Sequence, residues 1–198
     1  MMKRLVPILI LCAFMVLWAG CASTTSKFYT LSPTAEPGGG TATYSVAVGP
    51  VSVPATVDRP QMVVSVGPNQ VRIDEFNRWA SPLPGDIARV VAENLSKILG
   101  TPLVSVFPQA TATGASYRVL IDVMRFESVP GKSVTLDAVW TVRGAKEGAL
   151  RAGRTTVNEP AADGSTAALV AGHSRALGRL SGEVAEAIRG LDRPGKLE

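Results

Sequence analysis

Residues 116–144, SYRVLIDVMRFESVPGKSVTLDAVWTVRG, decide the fold. In the first half Tyr117, Val119, Ile121 and Val123 share one side of a period-two pattern. In the second half Val134, Leu136, Ala138, Trp140 and Val142 do the same. Such alternation lays one face of a strand on a core. Val129-Pro130-Gly131-Lys132 between the halves has turn chemistry, so the stretch predicts a hairpin of two long strands. Residues 150–159, LRAGRTTVNE, extend it as a further strand.

Upstream, YSVAVGPVSVP (44–54) places Val46, Val48, Val51 and Val53 in a β-branched run broken by Gly49-Pro50, which predicts a strand with a bulge. Met62 to Val66 and Gln70 to Ile73 are two short strands around a Gly67-Pro68-Asn69 turn, and LVSVF (103–107) is another. Two helices complete the pattern. The first starts after Ser81-Pro82 and ends at Gly100, with Ile87, Val90, Val91, Leu95, Ile98 and Leu99 on one face. Asp86, Arg89, Glu93 and Lys97 form a charge ladder on the other face, which reads as solvated. The second helix is capped by Ser165 and runs to about Leu191. Leu169, His173, Leu177, Leu180, Val184, Ile188 and Leu191 are its buried stripe, and Gly178 and Gly182 allow close approach to a sheet. The expected class is α+β: a two-layer sandwich whose sheet is mainly antiparallel or mixed, with both helices packed on one face.

The N-terminus is of another kind. Met1-Met2-Lys3-Arg4 is a positive n-region, and Leu5 to Ala19 is apolar and uncharged. That run is short for a membrane span, which needs ~20 apolar residues, and normal for the h-region of a secretory signal. It ends in Trp18-Ala19-Gly20-Cys21, similar to a bacterial lipobox, with Trp18 where Leu is usual. Cleavage between Gly20 and Cys21 and acylation of Cys21 are expected. Cys12, the other cysteine, lies in the apolar run and leaves with it. The expected organisation is a lipoprotein signal peptide (1–20), a lipidated tether with a short FYTL element (21–44), an α+β domain (45–191) and a C-terminal tail (192–198). Residues 32–44, rich in Pro, Gly, Ser and Thr, read as a flexible linker. The adjacent aromatics Phe28 and Tyr29 predict a short docking strand before it.

Several function classes lack their residues. Without Lys3 and Arg4 the 20 basic residues fall to 18, against 16 acidic ones, with no basic run; nucleic acid is not an expected partner. One histidine and one acylated cysteine make no metal site, and the only cofactor expected is the covalent acyl and diacylglycerol group (palmitate, for example) on Cys21. Gly172-His173-Ser174-Arg175-Ala176 resembles a nucleophile elbow but falls in a helical pattern, with the lone histidine next to the serine. Gly131-Lys132-Ser133 ends like a phosphate-binding loop, yet the required first glycine is Phe126. No catalytic residue is assigned, and no enzyme is expected.

The order of segments resembles one family. After the lipobox come KFYTLSP (27–33), VAVGPVSVPATVDRPQMV (46–63), FNRWASPLPGDIARVVAENLSKILG (76–100), YRVLIDVMRFES and VTLDAVWTV. Together they are similar to the PqiC family of ABC-type transport auxiliary lipoproteins. The resemblance implies a non-enzymatic lipoprotein on the periplasmic face of the outer membrane. Its implied partners are an MCE-domain protein and the ABC transporter or membrane permease that goes with it; a homo-oligomer stays open. Ala22 fits outer-membrane sorting, since inner-membrane retention goes with Asp directly after the cysteine. Phe28, Tyr29, Trp79, Pro82 and Leu83 are expected to form a partner surface or to support one. Two other readings stay open: a periplasmic lipid carrier with its own pocket, and an envelope-stability lipoprotein without a transport partner.

Overall fold

The computed structural model describes residues 24–145 and 148–192; the signal segment, Cys21 and Ala22 lie outside them. The element order is β1 (Lys27–Tyr29), β2 (Val46–Ser52), β3 (Gln61–Gly67), β4 (Gln70–Trp79), α1 (Leu83–Leu99), β5 (Val104–Val106), β6 (Tyr117–Val129), β7 (Ser133–Gly144), β8 (Leu150–Pro160) and α2 (Thr166–Asp192). A 3₁₀ turn, Ala110–Ala112, follows β5.

Five strands form the main sheet in the order β5-β2-β6-β7-β8. The predicted hairpin is its centre: β6 and β7 pair antiparallel from Tyr117↔Gly144 to Val129↔Ser133, and β8 continues antiparallel to β7. β2 lies parallel to both β5 and β6, so the sheet is mixed. The register of β2 on β6 shifts between Val48 and Val51. Gly49 sits there at φ 119°, a left-handed region open to glycine, and a Cβ added to it would lie 3.3 Å from Phe107 O. A second shift, between Val123 and Arg125, spends one residue, Met124. The inward set therefore changes from Tyr117, Val119, Ile121 and Val123 to Phe126 and Ser128.

Both helices cover the inner face. α1 lies over β2 and β5, and α2 over β7 and β8. Val46, Val48, Val119, Ile121, Leu136, Ala138 and Val142 of the sheet meet Ile87, Val91, Leu95, Leu177, Leu180, Val184 and Ile188 of the helices, all at most 1 % exposed. Burying each such Leu, Ile or Val contributes about 1.5–3 kcal/mol. α1 ends at Gly100 (φ 65°), whose N–H returns to Ser96 O. Ser165 caps α2 through Oγ, accepting from Ala168 N at 3.1 Å.

A second sheet, β1-β4-β3, closes one end of the domain. β1 is parallel and β3 antiparallel to β4. Met62 and Val64 turn inward; Val64 packs with Val134 and Leu169.

The flexible linker expected over residues 32–44 is instead a strap lying on the helices. Thr34 N and Ala35 N both donate to Asn94 Oδ1 at 3.0 Å, and Ser32 N donates to Ser174 Oγ at 3.1 Å. Gly38 N donates to Lys97 O and Ala42 N to Leu99 O. Pro, Gly and Thr here serve close backbone approach rather than freedom. A side chain on Gly178 would strike Thr34 Oγ1, so this glycine admits the strap, not a sheet as its spacing suggested; Gly182 has open space beside it.

Candidate functional site: the clamped N-terminal strap and the end sheet

The strap is held by a buried carboxylate. Asp86, in the first turn of α1, is 4 % exposed. Its Oδ2 accepts from Leu31 N at 2.8 Å, and both oxygens accept from Thr30 Oγ1 at 3.2 Å. Arg89 pairs with Asp86 Oδ1 at 2.6 Å, donates to Leu31 O at 2.7 Å and reaches Glu93 at 2.8 Å. The charge ladder is thus only partly solvated: Asp86 and Arg89 grip both backbone groups of Leu31, which is itself 1 % exposed. A buried amide held by a carboxylate is a charge-assisted bond, stronger than a neutral one. Periodicity had put Asp86 on the polar face of α1; its partners lie more than fifty positions upstream, where local spacing gives no signal.

The expected site residues separate. Phe28 is 65 % exposed and faces outward. Tyr29 is half-buried and donates through its hydroxyl to Asn77 Oδ1 at 3.0 Å, while its carbonyl accepts from Ala80 N. Trp79 and Leu83 are core residues, 6 % and 2 % exposed, and Trp79 meets Phe126 edge to face at 6.2 Å. Pro82 caps the N-terminus of α1 and is exposed. Trp79, Pro82 and Leu83, with Asp58, Arg59 and Pro60, line a surface cavity of about 410 Å³ beside that helix end. Phe28 is not among its walls. Gly20, Cys21 and Ala22 fall outside the described residues.

The residues that invited an enzymatic reading have structural partners. Gly172 to Ala176 lies inside α2. Ser174 Oγ donates to Val170 O at 2.9 Å and accepts from the strap. His173 is fully buried, stacked on Phe126 with ring centroids 3.7 Å apart, and its Nε2 pairs with Ser128 Oγ at 2.9 Å. Burial pushes its imidazole down to about 3. Glu159, 3 % exposed, takes Arg175 and Arg179 of α2 at 2.9 and 2.6 Å. On the far side of the sheet Arg154 grips Asp137 with two bonds, which holds that carboxyl below the usual range. Among the described residues no group of three or more His, Cys, Asp or Glu converges on one point. None of the helices among them is long and apolar enough to cross a membrane.

A helix-backed mixed sheet, a small end sheet and a clamped N-terminal strap define the fold. The chain belongs to the family described as ABC-type transport auxiliary lipoprotein component, which matches residues 29–185. That family is one of transport auxiliary lipoproteins and not of enzymes. Solved structures share the fold. An uncharacterised protein has 19 % identity and a TM-score of 0.69, over 83 % of this chain and 99 % of its own. Protein XCC0632 from Xanthomonas campestris has 19 % identity and a TM-score of 0.67, over 83 % of this chain and 96 % of its own. No curated protein matches the sequence significantly.

Proposed function

We propose that this chain is the docking subunit of an MCE-type intermembrane lipid transport system. On this reading it is held on the periplasmic face of the outer membrane by acyl chains on Cys21. Family membership supports an auxiliary role beside an ABC transporter. The strap carries the docking part of the reading. It joins the N-terminal segment to both helices, so the anchor would grip a rigid body, as docking requires. One acyl chain binds a membrane only marginally and more than one holds it durably, which suits a triacylated cysteine.

The carrier reading fits less well. The space between sheet and helices is filled by side chains at most 1 % exposed, which leaves little room there for an acyl chain. The test is the intact mass of membrane-extracted protein beside Cys21→Ser, followed by capture of an MCE-domain protein on each form. An acyl-sized increase absent from the variant, with the partner retained, is expected. An unmodified wild-type mass overturns the anchor, and an acylated protein that captures no MCE partner overturns the docking role.

A further inference from the structure

The small sheet has an outward face that is exposed at Phe28, Val71 and Ile73 and tied to β6 at its β3 edge, where Ser65 Oγ donates to Glu127 Oε1 at 2.8 Å. Its register defines the face. Phe28 and Gln61 both stand opposite Arg78, Val63 stands opposite Ile73, and Ser65 opposite Val71. Met62 and Val64, which alternate with these residues, point into the core. The outward set is therefore rich in apolar side chains: Phe28 is 65 %, Val71 50 % and Ile73 41 % exposed. Met124, the residue spent in the β6 bulge and 60 % exposed, lines the same shallow groove as Val63 and Val71. The bulge thus adds a side chain to this patch. Contiguous exposed apolar residues of this kind mark an interaction surface.

The position of the chain's start identifies what the face meets. Residues beyond Tyr29 are clamped by Asp86, Asn94 and Ser174, so the strap gives no slack. Between Cys21 and Lys27, where β1 begins, the chain has six residue steps. Six extended residues span at most ~20 Å. β1 is an edge of the small sheet itself, so a lipid-held Cys21 keeps this sheet within ~20 Å of the leaflet. The opposite end of the domain has no such leash; along β7 the ten steps from Ser133 to Arg143 extend ~33 Å.

We propose that the outward face of the β1-β4-β3 sheet, led by Phe28, Val71, Ile73 and Met124, rests on the phospholipid leaflet that holds the anchor. The face would sit at the headgroup–acyl boundary and fix the orientation of the domain. This inference rests on the acylation of Cys21 proposed above.

The test places one fluorophore on the full-length, membrane-extracted protein at Ile73→Cys, and in a second preparation at Leu150→Cys. Both positions are exposed apolar residues, and Leu150 lies at the far end of β8, opposite Arg143. Each protein is reconstituted into vesicles of phosphatidylethanolamine and phosphatidylglycerol, three to one, carrying nitroxide-labelled phosphatidylcholine. Intact mass first establishes acylation, and circular dichroism the fold. Quenching at position 73 at least threefold above that at position 150, reduced by adding Phe28→Asp, is the expected result. Equal quenching in acylated protein overturns the orientation and leaves the face to a protein partner. An unmodified mass overturns the anchored reading, and with it the leash that brings the face to the leaflet.

Discussion

The buried histidine makes stability depend on pH in a way that can be computed and refuted. His173 has no exposure, stacks on Phe126 and bonds Ser128, while its Nδ1 finds no partner. A charged imidazole there would lose its hydration without gaining an anion, so the folded group titrates at about 3. In the unfolded chain it titrates near ~6.5. Between these values the unfolded chain holds the extra proton. Its folded pKa is depressed, so stability is fully present above the unfolded value and drains away as pH falls toward the folded one. Linkage over this window gives a loss of about 2 kcal/mol between pH 7 and pH 5. Most carboxylates titrate below that interval and add little. The assay is urea unfolding at the two pH values, for wild type and for His173→Phe, which keeps a ring on Phe126 and removes the titration. The variant should lose no more than ~0.5 kcal/mol over the same interval, whatever its starting stability. Equal stability of wild type at both pH values, or an equal loss in the variant, refutes the reasoning.

The strap and the core give three further outcomes. Asp86→Ala leaves the buried Leu31 N–H without its acceptor, a cost of about 2–3 kcal/mol. Hydrogen exchange should then lose protection over residues 30–42 first. Gly178→Ala should destabilise by about 1–2 kcal/mol through its clash with Thr34, against the ~1 kcal/mol that alanine normally gains in a helix. In a Thr34→Ala background that penalty should vanish, since only the hydroxyl stands in the way; thermal melts of the double-mutant cycle check it. Trp79→Ala should cost about 3–5 kcal/mol as a core cavity. Unfolding measurements beside partner capture would separate that loss from any role in an interface.

What the sequence made legible was whatever a period of two or 3.6 can encode. The β6–β7 hairpin, the bulge at Gly49-Pro50, the glycine end of α1 and the apolar stripe of α2 stand where periodicity and turn chemistry put them. Two things were not legible. The division into two sheets depends on β4 running on to Trp79 and on β1 pairing with it, contacts that span about fifty residues. The strap looked like a linker because Pro, Gly and Thr are common to flexible segments and to backbones that must lie close against a helix. Only the partners Asp86, Asn94 and Ser174 distinguish the two cases, and no local pattern announces them. The proposed acylation of Cys21 rests on sequence alone, since Cys21 lies before the described residues.

The strap also fixes an order of events. Its partners include Ser174 on the last helix beside Asp86 and Asn94 on α1, so its full set of contacts waits for the end of the chain. Until then residues 24–44 are held on one side only, with a contour of ~70 Å. On the proposed acylation of Cys21, the enzymes concerned would meet a long, pliant substrate. Once α2 closes, the same segment shortens and the domain is drawn in. Assembly thus runs from a slack line to a taut one, and completion of the C-terminus is what tightens it.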